Sequence, residues 1–510
     1  MNQSKARLTV SSTNAWLLLP WLAFLGATAQ NVADPDLFGY LAFGRLFFES
    51  PAFPYVDVFS YYPVKNPWVY HEWLTGVVFY KMYVLVGPWA LQALKYFLAL
   101  GCMGLAWKTA RLNGADKRAA AMCMLMAVWV AAQGWSPIRA QAFTYFFFSL
   151  VLYILERTRR GGNPKVLWML VPVFGFWSNL HGGFLAGLGI FLIYGCCQWI
   201  EGGQGIPYKA EKRPVRTYGI VFGLSVLITL CNPYGLDYWV YLCRSLFMPR
   251  PFIVEWWSLP KTMIQGFYLP ASFLFLGMVF WVAAMLGKIL KSNISAGVAL
   301  VILGLLGFMH HRHGVFFALG FVALVPPYTK WKKPGRFHEW MGAGLIAVCL
   351  LANGLLGGYQ GVFLFSGSPF ALKTPALDQA PFNALYYPSG AVETIRQSGL
   401  EGNVLADFHW GEYLMWNLYP ECKVAVDGRY ETVYPEGVVH EHFLCFENPQ
   451  VGQEAFFAYL EKHPTSMIIA TAGGRAHWLL MQAPDWSPVY QDRGCVLFIK
   501  TINRGKAREF

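Results

Sequence analysis

The sequence predicts an α-helical membrane protein that crosses the bilayer many times and carries a soluble α/β domain at its C-terminal end. Of its 510 residues, 56% are hydrophobic, 17% are aromatic and only 13% are charged, whereas an average soluble domain is about 25% charged. Apolar segments recur along most of the chain, and the composition becomes that of a soluble protein from about residue 380 onward. With a mean hydropathy of +0.37, the chain as a whole is not a soluble enzyme.

The net charge of +12 comes from short clusters of Lys and Arg that lie between the apolar segments. No RNA-binding signature and no long basic tract accompany them, so a nucleic-acid partner is excluded. Such clusters mark cytoplasmic loops, and their alternation with apolar segments predicts about eleven transmembrane helices and a cytoplasmic N-terminus. The clusters lie at residues 5–7, 108–118, 157–165, 209–216, 288–291 and 330–336.

This alternation divides the chain into three parts. We predict a transmembrane module over residues 1–357 with its first outer loop at 30–87, a linker over 358–379, and an outer α/β domain over 380–510. The apolar segment 73–86 is shorter than the roughly 20 residues that a span needs, so we predict a helix on the outer membrane surface. A cleaved signal peptide ending near residues 27–29 is the alternative to the first span, and it also leaves the first loop outside.

The outer domain contains alternating strand and helix patterns. Residues 403–408, 423–427, 466–472 and 495–500 have the composition of strands, and residues 411–418 and 452–463 have that of helices. The cysteines of this domain permit one disulfide without defining its partners. They are Cys422, Cys445 and Cys495.

The first outer loop concentrates acidic residues among aromatic residues and prolines. Carboxylates at a membrane surface are costly unless they are needed there, so we predict that this loop forms the active site. Asp36 and Asp34 are the candidate general bases or divalent-cation ligands, and the alternative is that an Asp caps the following helix. Asp57, His71 and Glu72 are supporting candidates, although the last two equally suit the beginning of the surface helix.

Cationic residues at the outer ends of predicted spans are candidates for binding a donor phosphate, namely Arg139, Arg312 and His181. Arg suits bidentate contact with a phosphate, but an Arg near the interface also extends toward lipid headgroups. The histidines around Arg312 suggest zinc, and the adjacent guanidinium argues against it.

Four further residues are candidates for binding an acceptor or for a role of the outer domain in the active site. They are Glu255, Trp410, Asp427 and Arg429. Asp427 followed by Gly428 is equally typical of a turn after a strand. The sequence has no Walker loop, Rossmann fingerprint, HExxH or GxSxG element, so an ATP-driven transporter or a serine hydrolase has no support from motifs.

Several segments resemble the GT-C superfamily of integral-membrane glycosyltransferases, which use polyprenyl-phosphate-linked sugars. These segments are DPDLFGYLAFGRLF, DVFSYY, PWVYHEWL, NLHGGF, NPYG, VEWWS, HHRH, HWGEYLMW and VDGRYE. Together they extend over nearly the whole chain, and they also resemble a group of loosely described bacterial membrane proteins. HWGEYLMW is loosely similar to the WWDYG acceptor element of oligosaccharyltransferases, although the second Trp and the Asp of that pattern are missing.

The resemblance implies a GT-C-like fold in the bacterial inner membrane, with the C-terminal domain outside the cytoplasm. It implies that Asp36, helped by Asp34, deprotonates an acceptor hydroxyl that attacks the sugar of a polyprenyl-phosphate-linked donor. Membrane lipids and a glycan, lipid or protein acceptor are the implied partners, and some members of the superfamily bind a divalent cation such as Mg or Mn, here at Asp34 and Asp36. The alternatives are a transporter or scaffold for lipid-linked glycans, and a glycan polymerase or ligase in which Arg312 has the main role.

Overall fold

The computed structural model describes residues 15–135, 137–203, 215–329, 370–378, 380, 385–435 and 437–501. The predicted span at about 338–357 and most of the predicted linker lie outside these residues. The first part of the chain consists of helices joined by loops of different lengths. These are α1 (Leu19–Ala27), α2 (Pro35–Glu49), α3 (Trp73–Leu85), α4 (Pro88–Leu112), α5 (Lys117–Ala132), α6 (Gln141–Arg159), α7 (Leu170–Leu180), α8 (Phe184–Gly203), α9 (Val215–Ile228), α10 (Leu236–Phe247), α11 (Leu259–Ile264), α12 (Leu269–Ser292), α13 (Ile294–Met309) and α14 (Gly314–Leu324).

Two of the described helices, α4 and α12, are long and apolar enough to cross a membrane. Shorter apolar helices accompany them at Trp73–Leu85, Phe184–Ile200, Val215–Ile228 and Ile294–Met309. The count of about eleven transmembrane helices therefore stays a prediction. A helix is present at α3, as expected for the segment at 73–86, and its position on the membrane surface also stays a prediction.

The outer domain contains a five-stranded mixed sheet in the order β2-β1-β3-β5-β4. β2, β1 and β3 are parallel, whereas β5 is antiparallel to both of its neighbours. The strands are β1 (Gly402–Ala406), β2 (Cys422–Val424), β3 (Met467–Thr471), β4 (Trp486–Gln491) and β5 (Cys495–Lys500). The helices are α15 (Ser389–Gln397), α16 (Gly411–Leu418), α17 (Val438–His442), α18 (Gln453–Lys462) and α19 (Arg475–Met481).

The four strands and two helices that the sequence predicts in this domain are confirmed. β1 and β2 end earlier than predicted, because the residues that follow them leave the sheet to form turns. β4 is not predicted because it is a largely exposed edge strand that contains Pro488, so it lacks the apolar alternation of a half-buried strand. The domain's three cysteines, Cys422, Cys445 and Cys495, are all free, so the possible disulfide is absent.

The first outer loop covers the edge of this sheet that is formed by β2. Val424 of β2 donates its N–H to the carbonyl of Phe59 at 2.9 Å, and Tyr61 donates its N–H to the carbonyl of Val424 at 3.1 Å. This short parallel pairing satisfies backbone groups that an open edge would leave exposed. The loop therefore lies between the helical part and the outer domain.

Helix α2 follows directly from the local sequence and positions the beginning of the loop. Pro35 occupies its first turn, where a missing N–H costs nothing, and Asp34 Oδ1 accepts the N–H of Asp36 at 3.1 Å. A methyl group on Gly44 would lie 2.4 Å from the carbonyl oxygen of Gly76 in α3, so glycine is required for this close helix contact. Another part of α2 packs against α16 of the outer domain.

A buried guanidinium, that of Arg429, joins the first loop to the outer domain. It forms an ion pair with Asp57 of the loop, and its Nε and Nη2 donate to the two oxygens of Asp427 at 2.8 and 2.7 Å. Tyr434 donates a further hydrogen bond to Asp427 at 2.7 Å. The three charged residues are at most 6% exposed. They are structural, which corrects the prediction that Asp57 supports the active site and that Asp427 and Arg429 contact an acceptor.

Replacing Arg429 by Met should lower the free energy of unfolding by about 3–5 kcal/mol, because two buried carboxylates lose their cation. Denaturant unfolding of the purified protein in detergent measures this change. The control is Lys462→Met, whose partner Glu441 lies 2.7 Å away in an ion pair with side chains 57% and 34% exposed. Such an exposed pair contributes less than about 1 kcal/mol, and equal losses in the two variants would contradict the role of Arg429.

Candidate active site

The acidic beginning of α2 meets Arg139, which lies in the loop between α5 and α6. Arg139 Nη2 is 2.7 Å from Asp34 Oδ2, and its Nε is 3.6 Å from Asp36 Oδ2. Its Nη1 is 2.6 Å from Glu255 Oε1, which belongs to a turn between α10 and α11. Four predicted site residues from three separate loops therefore converge at one point.

Asp34 and Asp36 have different environments despite their closeness in the sequence. Asp34 is 1% exposed, and its two oxygens are engaged by the N–H of Asp36 and by Arg139. Asp36 is 32% exposed and has no hydrogen bond to Arg139 at 3.6 Å. Asp34 thus has the helix-capping role that the sequence left as an alternative, and Asp36 is the carboxylate that a substrate can reach.

The pKa values of Asp36 and Glu255 shift in opposite directions. Burial raises the pKa of Asp36 to about 7, because Arg139 only partly offsets it and the neighbouring Asp34 raises it further. Burial also acts on Glu255, but Arg139 and Arg312 outweigh it and hold its pKa at about 2. Asp36 therefore exchanges a proton near neutral pH, as a general base requires, whereas Glu255 stays an anion that balances Arg139.

Arg139 is paired with Asp34 and Glu255, whereas its Nε has no hydrogen-bond partner among the described residues, so its role in binding the donor phosphate stays a prediction. The same arrangement does not suit a divalent cation at Asp34 and Asp36. Both oxygens of Asp34 are engaged, and the guanidinium already supplies the positive charge. Among the described residues, no group of three or more His, Cys, Asp or Glu side chains could hold a metal ion.

A second polar cluster lies at the beginning of α3. Glu72 Oε1 is 3.3 Å from His181 Nε2 and 3.6 Å from His71 Nε2. His181 Nδ1 accepts the N–H of Gly183 at 2.8 Å, so a neutral His181 carries its proton on Nε2, facing Glu72. Burial lowers the pKa of His181 well below its usual value and that of His71 to about 4, and it raises the pKa of Glu72 to about 8. These shifts favour the neutral form of all three side chains, and binding of the donor phosphate by His181 stays a prediction.

Arg312 lies in the turn between α13 and α14, and its charge lowers the pKa of Asp36. Its Cζ is 4.6 Å from the ring centre of Trp256, and the Cζ of Arg250 is 4.1 Å from the same centre. Arg250 is neutralised by Glu431 at 2.5 Å. Arg312 takes part in none of the ion pairs between residues that the structure describes. It is therefore the predicted phosphate-binding cation that stays available to an anion.

The outer domain brings one further carboxyl group to Asp36, that of Glu412 in the first turn of α16. A methyl group built on Gly428 would lie 3.1 Å from Asp36 Oδ1 and 3.2 Å from Glu412 Oε1. Sequence patterns do not single out Glu412, and the only available signal is a charged residue among the apolar residues of HWGEYLMW. Trp410 of the same segment, which the sequence predicts as an acceptor contact, is fully buried and donates its Nε1–H to the carbonyl of Tyr386 at 3.1 Å, so it is a core residue.

No protein-family model and no curated protein matches the sequence. Solved structures do match the fold. ArnT from Cupriavidus metallidurans bound to undecaprenyl phosphate has a TM-score of 0.55 and 15% identity, covering 97% of this chain and 98% of ArnT. ArnT in the apo state has a TM-score of 0.56 and 14% identity, covering 98% of this chain and all (100%) of ArnT.

The archaeal oligosaccharyltransferase AglB from Archaeoglobus fulgidus, in complex with an inhibitory peptide and a dolichol-phosphate, is also similar. Its TM-score is 0.53 at 13% identity, covering 90% of this chain and 70% of AglB. The chain has the GT-C fold. The fold that the sequence motifs implied is thereby confirmed over nearly the whole chain.

Asp36→Asn removes a carboxyl group whose pKa is raised by folding. Between the ordinary carboxyl pKa of about 4 and the folded value of about 7, the folded wild type holds a proton that the unfolded chain has released. Its stability therefore falls as the pH rises through this window. The melting temperature of Asp36→Asn relative to wild type should rise from about pH 4 to about pH 7 and then level off.

Melting temperatures in detergent over this pH range test the prediction. A flat or falling difference for Asp36→Asn would contradict its raised pKa.

Proposed function

We propose that the protein is a membrane glycosyltransferase that transfers a sugar from a polyprenyl-phosphate-linked donor to a hydroxyl-bearing acceptor. The observation that carries this proposal is the reachable carboxylate of Asp36, with a pKa of about 7, close enough to the unpaired Arg312 for that charge to lower its pKa. The fold supports it, since ArnT was solved with undecaprenyl phosphate and AglB with a dolichol-phosphate.

Asp36 is the proposed general base. It accepts the proton of the acceptor hydroxyl while that oxygen forms a bond to the anomeric carbon of the donor sugar. The bond between the anomeric carbon and the phosphate oxygen breaks, and polyprenyl phosphate leaves with the bonding electrons. A single displacement of this kind inverts the configuration at the anomeric carbon. Asp34 and Arg139 contribute by holding the first turn of α2, and therefore Asp36, in position.

Arg312 is the proposed partner of the donor phosphate. The leaving polyprenyl phosphate gains negative charge as the sugar is transferred, and a guanidinium donates two parallel hydrogen bonds to such a group. Trp256 packs against Arg312 and limits its rotamers, while Glu431 keeps the neighbouring Arg250 neutralised. The phosphate is thereby drawn to Arg312 and not to Arg250.

We assign the reaction to the extracytoplasmic face of the bacterial inner membrane, because the basic clusters predict that the first loop and the outer domain lie outside. Membrane lipids surround the helical part, and the acceptor is a glycan, a lipid or a protein. A transporter or scaffold for lipid-linked glycans would not depend on Asp36 as a base for sugar transfer. A glycan polymerase or ligase shares the donor class and would depend on Arg312 more than on Asp36.

Asp36→Asn should reduce sugar transfer by at least about 100-fold, because the acceptor proton loses its base. The assay uses labelled polyprenyl-phosphate hexoses with lipid and polysaccharide extracts of cells that lack the protein. The wild-type rate should increase with pH through about 7 as Asp36 ionises. The control is Asp237→Asn, which replaces an exposed carboxyl group at the beginning of α10 and should retain transfer. An unchanged transfer rate in Asp36→Asn would contradict the assignment of Asp36 as the base.

Arg312→Gln should weaken the binding of undecaprenyl phosphate about 10- to 100-fold, since a charge-assisted hydrogen bond is lost. Titration of undecaprenyl phosphate into protein in nanodiscs, followed by native mass spectrometry, measures this change. Arg244→Gln is the matched control because Arg244 is an exposed cation of α10. Equal affinities for the two variants would mean that the phosphate binds elsewhere.

A further inference from the structure

A cleft of about 410 Å³ lies where the end of α2 meets the turn between α16 and β2. This volume is within the roughly 300–1,000 Å³ that is typical of small-ligand sites. Arg45, Glu49 and Pro51 line the cleft from the side of α2, and Tyr419 and Pro420 line it from the outer domain. The proposed transfer reaction makes no use of this cleft.

The cleft is separate from the site around Asp36. Arg45 follows Asp36 by nine residues on the same helix, which is about 14 Å along the helix axis at 1.5 Å per residue. The residues between them, from Leu37 to Gly44, are all buried. A ligand in the cleft therefore does not reach Asp36 along α2.

Arg45 is held at the cleft by the outer domain. Its Nη2 donates to the carbonyl of Tyr419 at 3.3 Å, and its Cζ is 4.8 Å from the ring centre of Trp416. It takes part in none of the ion pairs between residues that the structure describes. Its side chain is half-buried, and a guanidinium has five N–H donors. Donors of Arg45 therefore remain available to a ligand in the cleft.

Glu49 lies one turn after Arg45 and is the exposed last residue of α2. Opposite charges four residues apart on a helix attract each other, but Glu49 also forms no ion pair with a described residue. A carboxylate at the C-terminal end of a helix is unfavourable, because it faces the negative end of the helix dipole. Helix stability therefore does not explain this acid, and the cleft presents a cation and an anion that are not paired.

These side chains fit an uncharged ligand that carries several hydroxyl groups. One hydroxyl donates to the carboxylate of Glu49 and another accepts from the guanidinium of Arg45, and hydrogen bonds to charged groups are the stronger ones. Glu49 would repel an anionic ligand, and Arg45 would repel a cationic one. The ring of Tyr419 and the two prolines provide apolar surface for the C–H face of a sugar ring. The ring of Tyr419 is itself packed against Phe59, at 4.8 Å between ring centres.

We propose that this cleft is a second binding site of the protein, which takes an uncharged saccharide. Its hydroxyl groups bind between Arg45 and Glu49, and one face of the sugar packs against Tyr419. This inference goes beyond the proposed transfer reaction and does not depend on it, because the cleft is separate from Asp36. A segment of a soluble polysaccharide and the headgroup of a glycolipid share the required chemistry.

Binding is measured by native mass spectrometry of the full chain in nanodiscs. The soluble probes are oligosaccharides of glucose, mannose, galactose and N-acetylglucosamine, and the lipid probe is diglucosyl diacylglycerol incorporated into the nanodisc. Binding of a soluble probe by the wild type would assign the site to a polysaccharide segment. Binding of the lipid probe alone would assign it to a glycolipid headgroup.

Glu49→Gln should weaken binding of the best uncharged probe about tenfold, because a hydrogen bond to a charged acceptor becomes one to a neutral acceptor. The wild type should bind an oligosaccharide of glucuronic acid more weakly than one of glucose, and Glu49→Gln should reduce this difference because the repelling charge is removed. The matched control is Glu421→Gln, at an exposed position that follows Pro420 and does not line the cleft.

The outcomes also separate this site from the transfer site. Asp36→Asn should bind the uncharged probe as the wild type does. A probe whose binding requires Asp36 and not Glu49 would lie at the transfer site, and the second site would be overturned. Equal affinities of Glu49→Gln and Glu421→Gln, or no binding of any uncharged probe by the wild type, would overturn it as well. Sugar transfer is measured independently, so these results leave the proposed function unaffected.

Discussion

The ion pairs of Arg429 with Asp57 and Asp427 are the interaction on which the geometry of the site depends. They join the first loop to the outer domain in a fully buried setting, where an unpaired charge is too costly to be tolerated. The two parts therefore have one stable arrangement. Gly428 lies directly between two of these residues in the sequence, so the same ion pairs fix the glycine that separates Asp36 from Glu412.

Two neighbouring carboxylates beside Arg139 have opposite properties. Glu255 is 2.6 Å from Arg139 and forms a hydrogen bond with it, and Arg139 and Arg312 together hold its pKa at about 2. Asp36 is 3.6 Å from Arg139, forms no such bond and lies beside Asp34, and burial raises its pKa to about 7. Glu255 is therefore an anion near neutral pH, whereas Asp36 can exchange a proton there.

The site receives its chemical groups from separate parts of the chain. Arg312 and Trp256 belong to turns of the helical part. Gly428 belongs to the outer domain, and a methyl group on it would lie 3.1 Å from Asp36 Oδ1 at the beginning of α2. The charge of Arg312 also acts on Asp36, whose pKa it lowers. Under the proposed function, this layout brings a base and a cation for the donor phosphate to one site.

The sequence by itself determined the features that depend on local chemistry. Asp34 and Pro35 begin a helix, the apolar runs of the C-terminal part form strands, and the acidic loop contains the reachable carboxylate. Only the tertiary structure decided that Arg139 pairs with Asp34 and Glu255, that burial lowers the pKa of His181, and that Asp57 pairs with Arg429, 372 residues away. It also brought Glu412 to Asp36. Burial and charge pairing depend on which distant segments pack together, and no local pattern of residues contains that information.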